Sequence, residues 1–134
     1  MFTLDPQLEK DTWPVASLPL CQLLLAKNAA WPWFILVPKR ENKVELIDLT
    51  EVEQGELWRE IAQVSRIVQQ LFVPDKLNVA AIGNVVRQLH VHIVARRMGD
   101  SNWPAPIWGS AFSATYTEDQ RQEIVTRIYD ALHH

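Results

Sequence analysis

Three observations predict that this chain folds as an α+β domain: an antiparallel sheet of about five strands, a helix across one face and a C-terminal helix. Two capping-box signatures, Thr50-Glu51-Val52-Glu53 and Thr117-Glu118-Asp119-Gln120, each precede apolar residues at helical spacing. Between and before them lie short apolar runs separated by turn residues, as strands require. The order is strands, helix, strands, helix, and the short connections favour antiparallel pairing. The 134 residues suit one domain spanning 1–134, and neither repeats nor a Gly/Ser-rich linker divides them.

Taken in order, Asp5-Pro6 ahead of Leu8 fits a short first helix, since proline suits the first helical turn. Strands are expected at 15–18, 21–27, 33–37 and 44–49, with the polar stretch 38–43 as a hairpin loop. The central helix begins after Thr50, runs through Leu57, Ile61, Val64, Val68 and Leu71, and is stopped by Pro74. Two more strands, 76–82 and 85–97, flank Gly83-Asn84, read as a two-residue turn in which glycine supplies positive φ. The last helix carries Ile124, Val125, Ile128 and Leu132 on one face.

Composition narrows the function. Hydrophobic residues make up 48% and charged residues 22%, which is globular rather than disordered. The formal charge of -3 lacks the cationic field that non-specific nucleic-acid binding needs, while a small anionic ligand remains admissible. Cys21, the one cysteine, lies in an apolar run and reads as a buried structural thiol. The start Met1-Phe2-Thr3-Leu4-Asp5-Pro6 lacks the basic flank and apolar stretch of a secretory signal, and no run of about 18 apolar residues occurs. The expected location is therefore the cytoplasm, with no membrane partner.

The stretch 86–96 carries the chemistry. Alternation along a strand places Gln88, His90, His92 and Arg96 on one face and Leu89, Val91, Ile93 and Ala95 on the other, the core side. Same-face positions about 6.6 Å apart suit a grip on a phosphate and its leaving group. Three readings stay open. A half-exposed strand carries polar residues outward without any function. A His-x-His pair supplies two metal ligands, although no third announces itself: His133 and His134 sit at a terminus that frays or is a tag remnant. In phosphoryl chemistry, a neutral imidazole attacks phosphorus while neighbours hold the developing charge.

The run Gly83-Asn84-Val85-Val86-Arg87-Gln88-Leu89-His90-Val91-His92-Ile93-Val94 resembles the histidine triad family, whose signature alternates three histidines with hydrophobic residues after a Gly-Gln or Gly-Asn turn. Upstream, Trp33-Phe34-Ile35-Leu36-Val37-Pro38-Lys39 is similar to the family strand that ends in Val-Pro-Lys. Downstream, Arg96, Asp100 and Trp103-Pro104-Ala105-Pro106-Ile107-Trp108 are similar to a bacterial subgroup described as dinucleoside polyphosphate hydrolase-like. Here Gln88 replaces the first histidine of the triad. The resemblance implies a homodimer that needs no cofactor or metal and takes a purine nucleotide or dinucleotide. It would cleave a phosphoramidate or polyphosphate at the α-phosphate through a nucleotidyl-histidine. His90 maps to the nucleophile, His92 to the phosphate and leaving-group partner, and Gln88 to an orienter. Gly83, Asn84 and Val85 map to the phosphate-contacting loop. Arg96 joins them as a substrate contact, and Asn28 falls near the family's acidic ribose-binding position. An amide cannot carry a titrating proton, so a binding module that has lost turnover is the rival reading. A metal-dependent hydrolase is the third. Among the tryptophans, Trp13, Trp31 and Trp58 are expected to pack, and Trp103 and Trp108 to border the site or a subunit contact.

Overall fold

The computed structural model describes residues 1–134. In chain order it comprises α1 (Pro6–Asp11), β1 (Thr12–Ser17), β2 (Cys21–Ala26), β3 (Trp33–Pro38), a 3-10 turn (Leu46–Asp48), α2 (Glu51–Phe72), β4 (Lys76–Ala80), β5 (Val91–Arg96) and α3 (Glu118–Leu132). The five strands form one antiparallel sheet in the order β1-β2-β3-β5-β4. Helix α2 carries the chain from β3 to β4, so β5 returns between them and β4 lies at the edge.

Both long helices start where their capping boxes place them. Thr50 Oγ1 accepts from the Glu53 amide at 3.1 Å and the Glu53 carboxylate accepts from the Thr50 amide at 2.9 Å. Thr117 and Gln120 do the same at 3.1 and 2.9 Å. Each box satisfies amides that the first helical turn leaves without partners. At its far end α2 stops at Phe72 with Val73 in the left-handed region, immediately before Pro74.

The inner face of α2 buries Leu57, Ile61, Val64, Ile67 and Val68 against Leu23, Leu25, Phe34, Leu36, Val91, Ile93 and Ala95, with Ile128 of α3 closing the layer. Each such side chain contributes about 1.5–3 kcal/mol when fully buried. Glu60 is also buried on this face, and its carboxylate accepts from the amides of Leu20 and Cys21 at 2.8 and 2.9 Å. That pair of bonds fastens the β1–β2 turn to α2. Cys21 lies fully buried beside it, as expected.

The opposite face of the sheet is covered as well. Leu8 of α1 packs with Leu24, Ile35 and Val37, and Trp31 and Ile107 pack on Val94. Every residue of β5 is consequently buried, so its polar face is a covered wall rather than the half-exposed surface that alternation alone predicts.

Two local expectations are corrected. Residues 44–49 contain the 3-10 turn Leu46–Asp48 instead of a strand, because the Asp48 carboxylate accepts from the amides of Val44 and Glu45 at 3.1 and 2.8 Å and curls the chain. Residues 38–43 are therefore a link into that turn and not a hairpin loop. Nor is Gly83-Asn84 a two-residue hairpin turn: β4 ends at Ala80, which pairs with His92, leaving 81–90 as an irregular connection. The Leu89 amide in it donates to the Lys43 carbonyl at 2.9 Å, away from the sheet ladder.

Candidate active site

His92 stands on β5, flanked in register by Ile35 of β3 and Ala80 of β4, and His90 immediately precedes the strand. The two rings meet edge to face with centroids 4.9 Å apart. Both are more than nine-tenths buried, yet neither belongs to the apolar core; they line a cavity of about 620 Å³. That volume is in the range of small-molecule sites.

Their hydrogen bonds assign the ring protons. His90 Nδ1 lies 2.7 Å from the Gln88 carbonyl oxygen, which can only accept. Nδ1 of His90 therefore carries the proton, and Nε2 of the neutral ring keeps its lone pair. His92 has the reverse arrangement. Its Nδ1 lies 2.9 Å from Trp33 Nε1, an indole N–H that can only donate, so the proton of the neutral ring is on Nε2. Burial, and then the neighbouring His90, push the pKa of His92 down to about 3. The pair thus combines an acceptor nitrogen on His90 with a donor N–H on His92.

Gly83, Asn84 and Val85 line the same cavity, with Ile82 and Val86 beside them. Gly83 has φ +69°, and a Cβ there would come 3.2 Å from the Val86 carbonyl, so the position requires glycine. No protein group accepts from the backbone amides of Asn84, Val85 and Val86, which leaves them free for an anion.

The other three predicted site residues are placed differently. The Gln88 side chain turns from the histidines to the N-terminal segment: its Oε1 accepts from the Asp5 amide at 2.8 Å and its Nε2 donates to the Thr3 carbonyl at 2.9 Å. Only its main-chain carbonyl touches His90. The strand does not begin until Val91, so the alternation that put Gln88 on the histidine face does not extend to it.

Arg96 is fully buried and does not line the cavity. Its guanidinium pairs with Asp100 through two 2.8 Å bonds, donates to Asn78 and to the Ala105 carbonyl, and sits over the Trp103 ring. It anchors the chain after β5. Asn28 does border the cavity, but its Oδ1 accepts from the amides of Ala30 and Ala114 and its Nδ2 donates to the Phe112 carbonyl. Those bonds hold the segment 110–115 against the β2–β3 connection.

Several wall residues were not legible in the sequence. Leu8, Asp11 and Thr12 arrive from α1 and β1, and Lys27 from the end of β2; Asp11 and Lys27 are the fixed charges on the wall. Trp31, Trp33 and Ile107 form an aromatic and apolar side together with Trp108, which was expected to border the site or a subunit contact and does line the cavity, edge-on to His92 at 5.1 Å. Trp31 packs and lines the cavity at once, and Trp13 packs between Tyr116 and the cations of Lys27 and Arg121. Trp58, expected to pack, is 66% exposed on α2. No group of three His, Cys, Asp or Glu side chains converges as a metal site would require, and no helix is long and apolar enough to cross a membrane.

Comparison with known proteins places this geometry. The AP-4-A phosphorylase of Mycobacterium tuberculosis (strain CDC 1551 / Oshkosh) is 30% identical over 132 residues, covering 93% of this chain and 68% of the relative. A histidine triad protein from Bradyrhizobium japonicum superposes with a TM-score of 0.95 at 43% identity over 97% of both chains. Another, from Marinobacter aquaeolei VT8, gives 0.95 at 38% identity over 99% of this chain and 97% of the other. The HIT domain model matches residues 7–99, from the first helix through the histidine strand to the turn after it, and the chain belongs to that family.

Proposed function

We propose that this protein is a nucleotidyl hydrolase or transferase that cleaves a nucleoside phosphoramidate or a dinucleoside polyphosphate at the α-phosphate. The observation that carries the reading is the opposite Nδ1 bonding of the two cavity histidines, a carbonyl acceptor for His90 and an indole donor for His92, which in the neutral rings makes Nε2 of His90 an acceptor and Nε2 of His92 a donor. The Nε2 lone pair of His90 attacks the α-phosphorus, the bond from phosphorus to the leaving oxygen or protonated nitrogen breaks, and its electron pair departs with the leaving group, the amidate nitrogen leaving as a neutral amine. The bond from His90 Nδ1–H to the Gln88 carbonyl stabilises the positive ring of the nucleotidyl-histidine. Meanwhile the His92 N–H hydrogen-bonds an oxygen on phosphorus, and the free amides of the 84–86 segment hold the charge that develops. Water then adds to phosphorus, the P–N bond breaks back to His90, and a nucleoside monophosphate leaves. The mycobacterial relative is a phosphorylase by name, which makes orthophosphate a second acceptor to be tested in place of water.

The apolar walls offered by Leu8, Ile35, Ile82, Val85 and Val86 suit a purine ring. We assign Gln88 to the site only through its main chain, and no cofactor enters the scheme. A homodimer is part of the proposal, supported by the unpaired edge of β4 and the exposed Val79, Ile82, Leu46 and Ile47 near it. A cytoplasmic location is proposed with it.

Incubation with adenosine 5′-phosphoramidate and with a dinucleoside tetraphosphate, each with and without orthophosphate, should release mononucleotide. His90→Ala should reduce turnover by at least about 10³-fold, as loss of a nucleophile does. Saturable nucleotide binding with neither product nor a His90 adduct would instead establish the binding module. Loss of activity on chelation, with metal in the purified protein, would establish the metal-dependent hydrolase.

A further inference from the structure

We infer that Trp33 is a positioning residue: its indole N–H, donated to His92 Nδ1, holds that ring with its own proton on Nε2 and so keeps His92 a donor toward the cavity. The role in turnover rests on the function proposed above, whereas the role in setting the tautomer stands apart from it.

The sheet register makes this partnership specific. Trp33 pairs directly with Val94 and Ile35 pairs with His92, so Trp33 is the diagonal neighbour of His92 on the same face. Such diagonal positions are about 7–8 Å apart, a gap that large aromatic side chains span and short polar ones do not. An indole also fixes the polarity of the bond. It has a donor and no acceptor, so it cannot meet a protonated Nδ1, and its presence opposes both the alternative tautomer and the imidazolium.

Trp33 is itself immobilised. Trp31 lies edge-on to it with centroids 6.5 Å apart, and the Trp31 indole donates to the Ser101 carbonyl at 2.8 Å. On its other side the His92 ring meets Trp108, so it is held between two indoles. The rings that contact His92 are those of Trp33, Trp108 and His90. The two histidines are therefore controlled differently. The Nδ1 partner of His90 is a main-chain carbonyl that substitution of residue 88 cannot remove, whereas that of His92 is a single side chain 59 residues away in sequence but on the adjacent strand of the sheet.

The test is nitrogen NMR of the free protein labelled at its imidazole and indole nitrogens, compared with Trp33→Phe, which keeps a ring and loses the donor. In the wild type, His92 should show a protonated Nε2 and an unprotonated Nδ1, with a scalar coupling across the bond to Trp33 Nε1. In Trp33→Phe the two tautomers should mix and His92 should protonate at higher pH. Loss of one buried neutral bond is worth about a 2- to 12-fold change in the tautomer ratio, so kcat should fall by up to that factor with KM less affected. A wild-type His92 protonated on Nδ1, or no coupling across the bond, would overturn the inference, and that measurement needs no variant to fold. An unchanged tautomer and titration in Trp33→Phe would overturn it equally. If the wild-type tautomer is as stated but no nucleotide substrate is turned over, the proposed function fails and the Trp33 assignment stands.

Discussion

Replacing Gln88 with alanine separates a role in folding from a role in chemistry. The side chain makes two hydrogen bonds to the N-terminal segment, at 2.8 and 2.9 Å, and none to His90. A typical bond of this kind contributes about 0.5–1.5 kcal/mol, and the solvent-exposed one to Thr3 falls at the low end, so Gln88→Ala should lose about 1–2 kcal/mol. With an unfolding entropy of about 2.1 cal/mol/K per residue over 134 residues, that loss lowers the Tm by about 4–7 °C. The His90 proton stays on Nδ1 because its acceptor is the residue-88 carbonyl, which alanine retains. Asp5 caps α1, and Leu8 and Asp11 of that helix line the cavity, so loosening the latch should raise KM more than it lowers kcat. Differential scanning fluorimetry and steady-state kinetics on a nucleoside phosphoramidate measure both quantities. A kcat loss beyond about 10²-fold with an unchanged Tm would refute the reasoning and return the Gln88 amide to the reaction.

Further consequences follow from single groups. The His92 ring titrates near pH 3 in the folded protein against 6.5 for an ordinary histidine. Its contribution to stability is complete above pH 6.5 and is lost as pH falls from there toward 3, because the unfolded chain binds a proton that the folded one refuses. The slope is up to about 1.4 kcal/mol per pH unit and should vanish in His92→Asn, as urea titrations between pH 4 and 7 would show. Burial, reinforced by Glu60, raises the Cys21 pKa far above that of a free thiol. Native protein should resist iodoacetamide at pH 8 for hours and react on unfolding; rapid modification of the folded state would contradict the placement. Arg96→Ala leaves Asp100 without its partner and should cost about 3–5 kcal/mol by chemical denaturation. A stable Arg96→Ala protein with a selective rise in KM would instead place the guanidinium at the substrate.

Local signals in the sequence were enough for α2 and α3. A capping box is closed by residues three apart, and an amphipathic face by residues three and four apart, so neither needs a distant partner. The same holds for the core side of the histidine strand: Leu89, Val91, Ile93 and Ala95 all join the layer beneath α2. It also holds for His90 and His92, which line one cavity although His90 lies one residue before the strand. The segment 44–49 shows the limit of apolar patterning, because its composition is that of a strand while the carboxylate of Asp48, within the segment itself, takes the amides of Val44 and Glu45 and bends it into a 3-10 turn.

What the chain's own order left undetermined was whatever depends on register between strands distant in sequence. The proton on His92 is set by Trp33, 59 residues earlier, and the turn before β2 is held by Glu60, 39 residues beyond Cys21. Gln88 belongs to a segment that leaves the sheet, Asn28 and Arg96 spend their polar atoms on neighbouring loops, and the cavity walls come from α1 and from the chain after β5. A one-dimensional pattern records which faces are apolar. Which polar atoms are consumed by other parts of the chain, and which are left for a ligand, is decided only when the sheet pairs and its second face is covered.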